Sequence, residues 1–194
     1  MTATLSLPER QEWTVDDLVA LPKDLRYELI DGRLILPAPL PFHQFVCRQA
    51  ANAMEVDCPD DILISFDQSV AIDGRNQPRP DVVAIREEGA SRTPVLVQDV
   101  LLAVEVISPD SSIRDRRDKL KLYAQGKIPA YWVIDPLGER VTFTEFVLDG
   151  DRGYRRSLVT DGSATVEDPW KIALDLPSWT RRRNRLRDVA RPAD

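Results

Sequence analysis

The arrangement of apolar and polar positions along the chain predicts a mixed β-sheet with helices on its flanks. Residues 100–108 are almost continuously apolar, which is typical of a strand covered on both faces at the centre of an α/β sheet. Residues 111–125 follow as a helix that Gly126 ends, and residues 130–135 form the next strand. A strand, a helix and a strand in such close succession form a βαβ unit, so the two strands should be parallel neighbours.

Shorter patterns on either side complete the predicted fold. Asp31-Gly32 is a favoured pair for a type I′ turn and predicts a β-hairpin between two short apolar runs. Thr14 and Asp17 have the spacing of a capping box and predict a short helix, which Pro22 closes. The remaining predicted elements are a helix at 43–57, strands within 62–72 and at 81–85, an antiparallel pair at 141–150 and 154–160, and a final helix from Pro177. The fold class is therefore α/β, or α+β, with one mixed sheet.

Length and composition indicate one globular domain over residues 1–194. Hydrophobic residues make up 43% of the chain and charged residues 30%, which is ordinary for such a domain. No apolar run approaches the ~20 residues of a membrane helix, and the N-terminus lacks signal-peptide features, so we expect a cytoplasmic protein. Cys47 and Cys58 form no CxxC pair and the chain has one histidine, which argues against a typical zinc site and for two reduced thiols.

Charge is unevenly distributed along the chain. The net charge of −6 counts against nucleic-acid binding, which usually requires a basic surface. Residues 114–121 and 180–187 are nevertheless basic. Two interpretations stay open at this point: a local basic face on an acidic protein, or two ordinary solvated helix faces.

Glu105 is the most unusual residue of the predicted core. It lies inside the apolar run Leu-Leu-Ala-Val-Glu-Val-Ile, where every neighbour favours burial. Burying an unpaired carboxylate costs several kcal/mol, so the carboxyl must be protonated, paired or placed beside a cation. A buried ion pair with an arginine, or a strand end that emerges into solvent, would be the structural explanation. Ligand sites of α/β sheets lie at the carboxyl ends of strands, and Glu105 lies near that end.

Asp81 becomes a candidate metal ligand only when it is considered together with Glu105. Alone, an aspartate after Pro80 is most simply a turn residue. Together, the two acids on adjacent strands, with a main-chain carbonyl and water, would suit Mg²⁺ or Mn²⁺.

Lys119 and Tyr123 lie one turn apart on the predicted helix that follows Glu105, and Asp115 shares their face. They could be an exposed Asp–Lys pair and a core tyrosine. Alternatively, the helix returns Lys119 to the metal site, where its ammonium would orient water or neutralise charge on a phosphate.

Two further residues have a structural and a functional interpretation. Glu28, on the predicted hairpin, would most simply face solvent but could be an additional metal ligand or a supporting acid. His43, at the start of a predicted helix, would most simply cap or pack the helix but could be an accessory site residue, as could Tyr123. The tryptophans Trp13, Trp132 and Trp170 are expected in the core.

Several stretches, in order, resemble the Uma-type restriction endonuclease family of the PD-(D/E)XK nuclease superfamily. The similarity covers roughly residues 14–175 and leaves 176–194 as a C-terminal, helical extension. The matching stretches are YELIDGRLI at 27–35, His43-Gln44, RPDVVAI at 79–85, LAVEVISPDSS at 102–112 and DKLKLYAQGKIPAYWVIDP at 118–136.

The resemblance implies a restriction-endonuclease-like fold and Mg²⁺-dependent phosphodiester hydrolysis. It implies that Asp81 is the aspartate of the superfamily motif, that Glu105 is its second acid and that Glu28 is a further acidic site residue. One position departs from the standard motif, because Ile107 stands where a lysine normally follows the second acid by two residues. Lys119 is the candidate replacement.

The sequence therefore predicts a metal-dependent DNA endonuclease, an Mg²⁺-dependent hydrolase with Asp81, Glu105, Lys119 and Glu28 as catalytic residues. Asp81 and Glu105 would hold the metal, while Arg114, Arg116 and Arg117 would contact DNA phosphates. The alternative is a nuclease-like fold that serves as a binding or assembly module without catalysis, which the acidic net charge and Ile107 favour. A metal-dependent hydrolase with another substrate is a third possibility. A homodimer is plausible because nucleases often pair two sites.

Overall fold

The structure, a computed structural model, describes residues 10–37, 40–109 and 113–190, and it describes only the backbone of residues 113–116, 189 and 190. The strands are β1 (Glu28–Ile30), β2 (Arg33–Ile35), β3 (Ile62–Phe66), β4 (Val70–Ala71), β5 (Val82–Arg86), β6 (Val95–Leu96), β7 (Val100–Val106), β8 (Ala130–Asp135), β9 (Thr142–Leu148), β10 (Tyr154–Thr160), β11 (Ser163–Val166) and β12 (Ile172–Asp175). The helices are α1 (Pro41–Glu55), α2 (Ile113–Gln125) and α3 (Leu176–Ala190).

A six-stranded mixed sheet with the order β10-β9-β8-β7-β5-β3 forms the centre of the fold. β7 and β8 are parallel, whereas every other neighbouring pair in this sheet is antiparallel. All seven residues of β7 are buried, as expected of an interior strand covered on both faces. The predicted βαβ unit is confirmed, with β7, α2 and β8 as its parts.

Alternate residues of β7 belong to two separate apolar layers. Leu102 and Val104 pack with α1, with Trp132 and with the C-terminal elements. Ala103, on the other face, packs with Tyr123 of α2 and with Tyr131 of β8. Because side chains alternate along a strand, Glu105 shares the face of Ala103 and points toward α2.

The hairpin of β1 and β2 forms around the predicted Asp31-Gly32 turn. Both residues have positive φ, 49° and 72°, as a type I′ turn requires. A β-carbon on Gly32 would lie 2.7 Å from the Arg75 guanidinium, whose flexible side chain could shift, so it is the positive φ that favours glycine here. Leu29 exchanges backbone hydrogen bonds with Gln77, which holds the hairpin against the segment leading into β5.

Three details differ from the predicted elements or extend them. The helix predicted at 43–57 begins at Pro41 and ends at Glu55; proline suits a first helical turn because that turn needs no N–H donor. The short helix after Thr14 is a 3₁₀ helix, Val15–Ala20, with the capping box in place. The small hairpin of β11 and β12 was not predicted, because its strands have only four residues each.

The expected core tryptophans, Trp13, Trp132 and Trp170, are all buried. Cys47 and Cys58 are both free thiols, with Cys47 buried. Within the described ranges, no helix has the length and apolar character that crossing a bilayer requires.

Arg183 anchors α3 to the loop that follows β8. Its side chain is fully buried, and its guanidinium donates hydrogen bonds to the carbonyl oxygens of Pro136, Gly138 and Glu139, with 2.8 Å to Gly138. The donors of a guanidinium form a rigid, planar set that can bind several carbonyls at once. This buried cation therefore fixes the position of α3 over the loop.

Replacing Arg183 with methionine should lower the free energy of unfolding by about 3 kcal/mol, because three carbonyl oxygens lose a charged donor. The neighbouring Arg182 is exposed, so Arg182→Met should change the free energy by less than about 0.5 kcal/mol. Urea denaturation of the two variants measures both values. Equal stability of the two variants would show that the buried guanidinium does not hold the helix.

Candidate active site

The register between β5 and β7 brings the two predicted acids to the same end of the sheet. Val82 pairs with Val104 in antiparallel strands, so Asp81, one residue earlier, lies opposite Glu105, one residue later. The backbone N–H of Val106 donates a 2.7 Å hydrogen bond to Asp81 Oδ2. The two acids that lie 24 positions apart in the sequence are therefore neighbours in the fold.

Lys119 connects two buried glutamates. Its Nζ donates to Glu105 Oε1 at 2.9 Å and to Glu28 Oε1 at 2.8 Å, and the side chains of all three residues are between 10% and 12% exposed. Lys119 is therefore largely buried rather than exposed, and the side chain of Asp115 lies outside the described residues. The helix following Glu105 returns its lysine to Glu105 at the strand end, and a role of Lys119 at a metal site stays a prediction.

The expectation that Glu28 faces solvent is wrong. Glu28 is 8% exposed, and besides binding Lys119 it accepts a 3.3 Å hydrogen bond from the backbone N–H of Arg79. The alternation within β1 could not reveal this burial, because all three of its residues are buried. The docking of the hairpin against Gln77 turns the side chain of Glu28 inward.

Tyr123 supports Glu105 from one turn further along α2. Its hydroxyl donates a 2.7 Å hydrogen bond to Glu105 Oε1, the same oxygen that Lys119 binds. Burial, together with the negative charges of Glu105 and Glu28, raises the pKa of Tyr123 well above its usual value. The hydroxyl therefore keeps its proton and acts as a donor.

His43 joins Asp81 to the backbone of β7. Its Nε2 lies 2.9 Å from the carbonyl oxygen of Val106 and 3.2 Å from Asp81 Oδ2. Because a carbonyl and a carboxylate both accept hydrogen bonds, we assign a hydrogen to Nε2. Burial alone would lower the pKa of His43, but the hydrogen bond and charge of Asp81 outweigh it and the pKa is raised. The sequence placed His43 only at a helix start, and α1 carries it to the site.

The sequence did not indicate Cys47 as a neighbour of this site. Its Sγ lies 3.5 Å from His43 Nδ1, and the three groups of His43, Cys47 and Asp81 offer atoms within 4.8 Å of one another. Burial raises the pKa of the Cys47 thiol, and the charges of Asp81 and Glu105 add to the effect, so the sulfur stays protonated. Since His43 Nε2 faces two acceptors, we interpret this group as support for Asp81 rather than as a soft-metal site.

The electrostatics of the site show an excess of negative charge. Burial raises the pKa of Glu105 to about 8, against the opposing effect of Lys119 and with the help of Asp81 and Glu28. Burial would lower the pKa of Lys119, but Glu105, Glu28 and Asp81 raise it well above its usual value, so the ammonium stays charged. Three carboxyl groups thus surround one ammonium.

These groups fit a hard divalent cation. Such ions prefer oxygen ligands, and carboxylates are the strongest of those that proteins offer. Asp81 and Glu105 supply carboxylate oxygens beside the exposed end of the sheet, where the side chain of Asp81 is 22% exposed. A cation there would relieve the mutual repulsion that favours the protonated form of Glu105.

The predicted DNA-contacting arginines are only partly described. Arg117 on α2 is exposed, whereas the side chains of Arg114 and Arg116 lie outside the described residues. Ile107 is buried, and Lys119 is the lysine that contacts Glu105 among the described residues.

The six-stranded mixed sheet flanked by helices is a nuclease-like fold, and comparisons with known proteins agree. The chain belongs to the Uma2 family, described as "Putative restriction endonuclease", which matches residues 15–180. The structure is similar to a crystal structure from Anabaena variabilis described as a "putative nuclease belonging to DUF820". That similarity has a TM-score of 0.69 at 19% identity and covers 86% of this chain and 98% of the other. A search of curated proteins found no match.

The raised pKa of Glu105 predicts how stability depends on pH without metal. The folded state holds the Glu105 proton up to about pH 8, whereas an ordinary glutamate releases it near pH 4.5. Its stabilising effect is fully present below pH 4.5 and is lost as the pH rises to about 8. The raised pKa of His43 acts in the same direction, because stability present below pH 6.5 is lost as the pH rises further.

The free energy of unfolding in EDTA should therefore fall between pH 5 and pH 8.5, and Glu105→Gln should flatten this dependence because glutamine cannot ionise. Urea denaturation at several pH values measures the slope. Glu88 is exposed, so Glu88→Gln is the matched control and should keep the slope of the wild type. Identical slopes for all three proteins would contradict the assigned protonation of Glu105.

Proposed function

We propose that this protein is a metal-dependent endonuclease that hydrolyses phosphodiester bonds of DNA. The observation that carries the proposal is the contact of 2.9 Å between Lys119 Nζ and Glu105 Oε1. The nuclease motif needs a lysine beside its second acid, and Ile107 occupies the usual position. Lys119 supplies an ammonium at that acid from a helix instead of from the strand.

Asp81 and Glu105 are the residues that would hold the cation, Mg²⁺ or Mn²⁺. When bound, such an ion polarises a phosphate and lowers the pKa of a bound water. Asp81 is kept in place by the N–H of Val106 and by His43 Nε2, and Glu105 is kept in place by Tyr123. Both carboxylates are thus oriented before any ligand binds, which reduces the free energy needed to form the site.

Lys119 would act on the substrate through its positive charge. The neighbouring carboxylates keep the ammonium charged, so its hydrogen bonds can orient a water molecule or stabilise negative charge on a phosphate. Glu28 accepts one of these hydrogen bonds at 2.8 Å and positions the ammonium. In this arrangement Glu28, His43 and Tyr123 are positioning residues.

The family match supports a nuclease and leaves the substrate to experiment. The family is described as a restriction endonuclease family, which suggests DNA as the substrate. The structural neighbour at 19% identity supports the fold alone. The net charge of −6 and the isoleucine at position 107 favour the alternative, a nuclease-like fold used as a binding module.

Metal binding is the first test. Calorimetric titration with Mn²⁺ at pH 8 should show a site that Asp81→Asn and Glu105→Gln each remove or weaken at least about 10-fold, because each variant loses a charged ligand. Mn²⁺ should also raise the melting temperature of the wild type, since only the folded state presents the site. The exposed-residue variant Glu88→Gln should bind as the wild type does. Absence of binding at millimolar Mn²⁺ would contradict the metal site.

Cleavage is the second test and separates the enzyme from the binding module. With Mg²⁺ or Mn²⁺, the wild type should cut plasmid DNA, and Lys119→Met should keep Mn²⁺ binding but lose cleavage at least about 100-fold, because the charge beside the reacting phosphate is gone. Lys121 is exposed on the same helix, so Lys121→Met should retain activity. Metal binding without cleavage of DNA would favour the module, and equal cleavage by Lys119→Met would indicate a contaminating nuclease.

A further inference from the structure

α3 carries the densest positive charge of the described chain. Its 15 residues include five arginines and one aspartate, in a protein of net charge −6. Arg183 is buried in the loop contact described above, whereas the other four are exposed: Arg181, Arg182, Arg185 and Arg187. Among the residues that the structure describes, no carboxylate forms an ion pair with any of these four.

The stability of the helix does not explain this charge. Arg181 and Arg185 are four positions apart, and such like-charged neighbours cost a few tenths of a kcal/mol. The helix dipole favours cations in the last turn, where Arg187 lies, but gives no benefit to Arg181 and Arg182 in the N-terminal half. The cost indicates a use for the charge outside the helix.

α3 lies at the end of the sheet that holds the acids. Arg183 binds the loop 136–139, which directly follows β8, and Val106 at the end of β7 pairs with Ile134 of β8. At the start of β9, the N–H of Val141 donates a 3.0 Å hydrogen bond to Thr180 Oγ1 of α3. The helix is therefore fixed to the strand ends beside Glu105 and Asp81, not to the opposite end of the sheet.

A second contact connects α3 to the site through α1. The guanidinium carbon of Arg187 lies 5.4 Å from the ring centroid of Phe42. The next residue, His43, has its Nε2 3.2 Å from Asp81 Oδ2. Through these two adjacent residues of α1, the C-terminal half of α3 is linked to the proposed metal ligand. Arg187 lies four positions after the buried Arg183, so it shares that side of the helix rather than the side of Arg181 and Arg185.

We propose that the exposed arginines of α3 bind the phosphate backbone of duplex DNA beside the bond to be cut. The proposal rests on the nuclease function proposed above, and it names the surface that holds the substrate. A polyanion matches exposed guanidinium groups that have no carboxylate partner within the described residues, since arginine binds phosphate oxygens in bidentate geometry. With a net charge of −6, the chain attracts DNA weakly outside this face and the basic residues of α2.

The test measures DNA binding without cleavage. Anisotropy of a fluorescein-labelled duplex is followed in EDTA, with the full chain, at several salt concentrations. Arg181→Gln/Arg185→Gln should weaken binding at least about 5-fold and reduce the slope of log K against log salt by up to about 2, because two phosphate contacts are lost.

The matched control is Arg155→Gln/Arg156→Gln. Substituting these two exposed arginines of β10 removes the same amount of positive charge as the α3 variant. They lie near the opposite end of the sheet, because Arg155 pairs with Val147, which pairs with Ala130 at the start of β8. The control should keep the affinity and the salt slope of the wild type.

Three results would overturn the proposal: no binding of duplex DNA by the wild type, wild-type binding by the α3 variant, or equal losses in both double variants. Binding of polyglutamate to the wild type with no binding of the duplex would also overturn it, in favour of an acidic protein partner. The proposed nuclease function and the proposed binding surface can fail independently of each other. If the wild type does not cleave DNA but only the α3 variant loses DNA binding, the proposed binding surface is supported and the nuclease function is not. If the wild type cleaves DNA and the α3 variant cleaves it equally well, the nuclease function is supported and the proposed binding surface is wrong.

Discussion

The arrangement depends on one constraint, the burial of Glu105 within an otherwise apolar strand. A buried carboxylate without partners would cost several kcal/mol, so the chain must surround it with donors. Lys119 and Tyr123, one turn apart on α2, both bind the same oxygen of Glu105. The ammonium of Lys119 is itself buried and needs a second anion, which Glu28 provides from the hairpin. A strand, a helix and a hairpin are thus held together by one polar cluster, in which Lys119 contacts both glutamates.

A second set of contacts orients the other acid. Both backbone polar groups of Val106 are used at the end of β7: its N–H binds Asp81, and its carbonyl accepts from His43. His43 in turn faces Asp81, so α1 is tied to the same point. Donors that fix a ligand before it binds metal make a site more selective in geometry and tighter in affinity. The cluster around Glu105 and the contacts around Asp81 therefore support two neighbouring carboxylates from opposite faces of one sheet.

The charge distribution has a consequence for how a substrate could approach. The chain has a net charge of −6, whereas α3 at the end of the sheet has five arginines and one aspartate, so a polyanion would be attracted there rather than to the acidic surface. α3 is held there by a guanidinium that binds three carbonyls, and its remaining arginines face outward. Net charge alone argues against nucleic-acid binding. It sums over the whole protein surface, however, whereas a substrate contacts only one face.

Local pattern was sufficient to predict the elements that depend on near neighbours in sequence. The apolar run of β7, the turn at Asp31-Gly32 and the βαβ unit follow from periodicity and turn chemistry, and the anomaly of Glu105 followed from its apolar neighbours alone. Tertiary packing decided what those elements bring together. Glu28 is buried because its hairpin docks on Gln77, and His43 reaches Asp81 because α1 packs across β7. The sequence named Lys119 as a candidate, but only the crossing of α2 over the sheet could place its ammonium 2.9 Å from Glu105, because contacts between residues distant in sequence arise from packing, which no local pattern records.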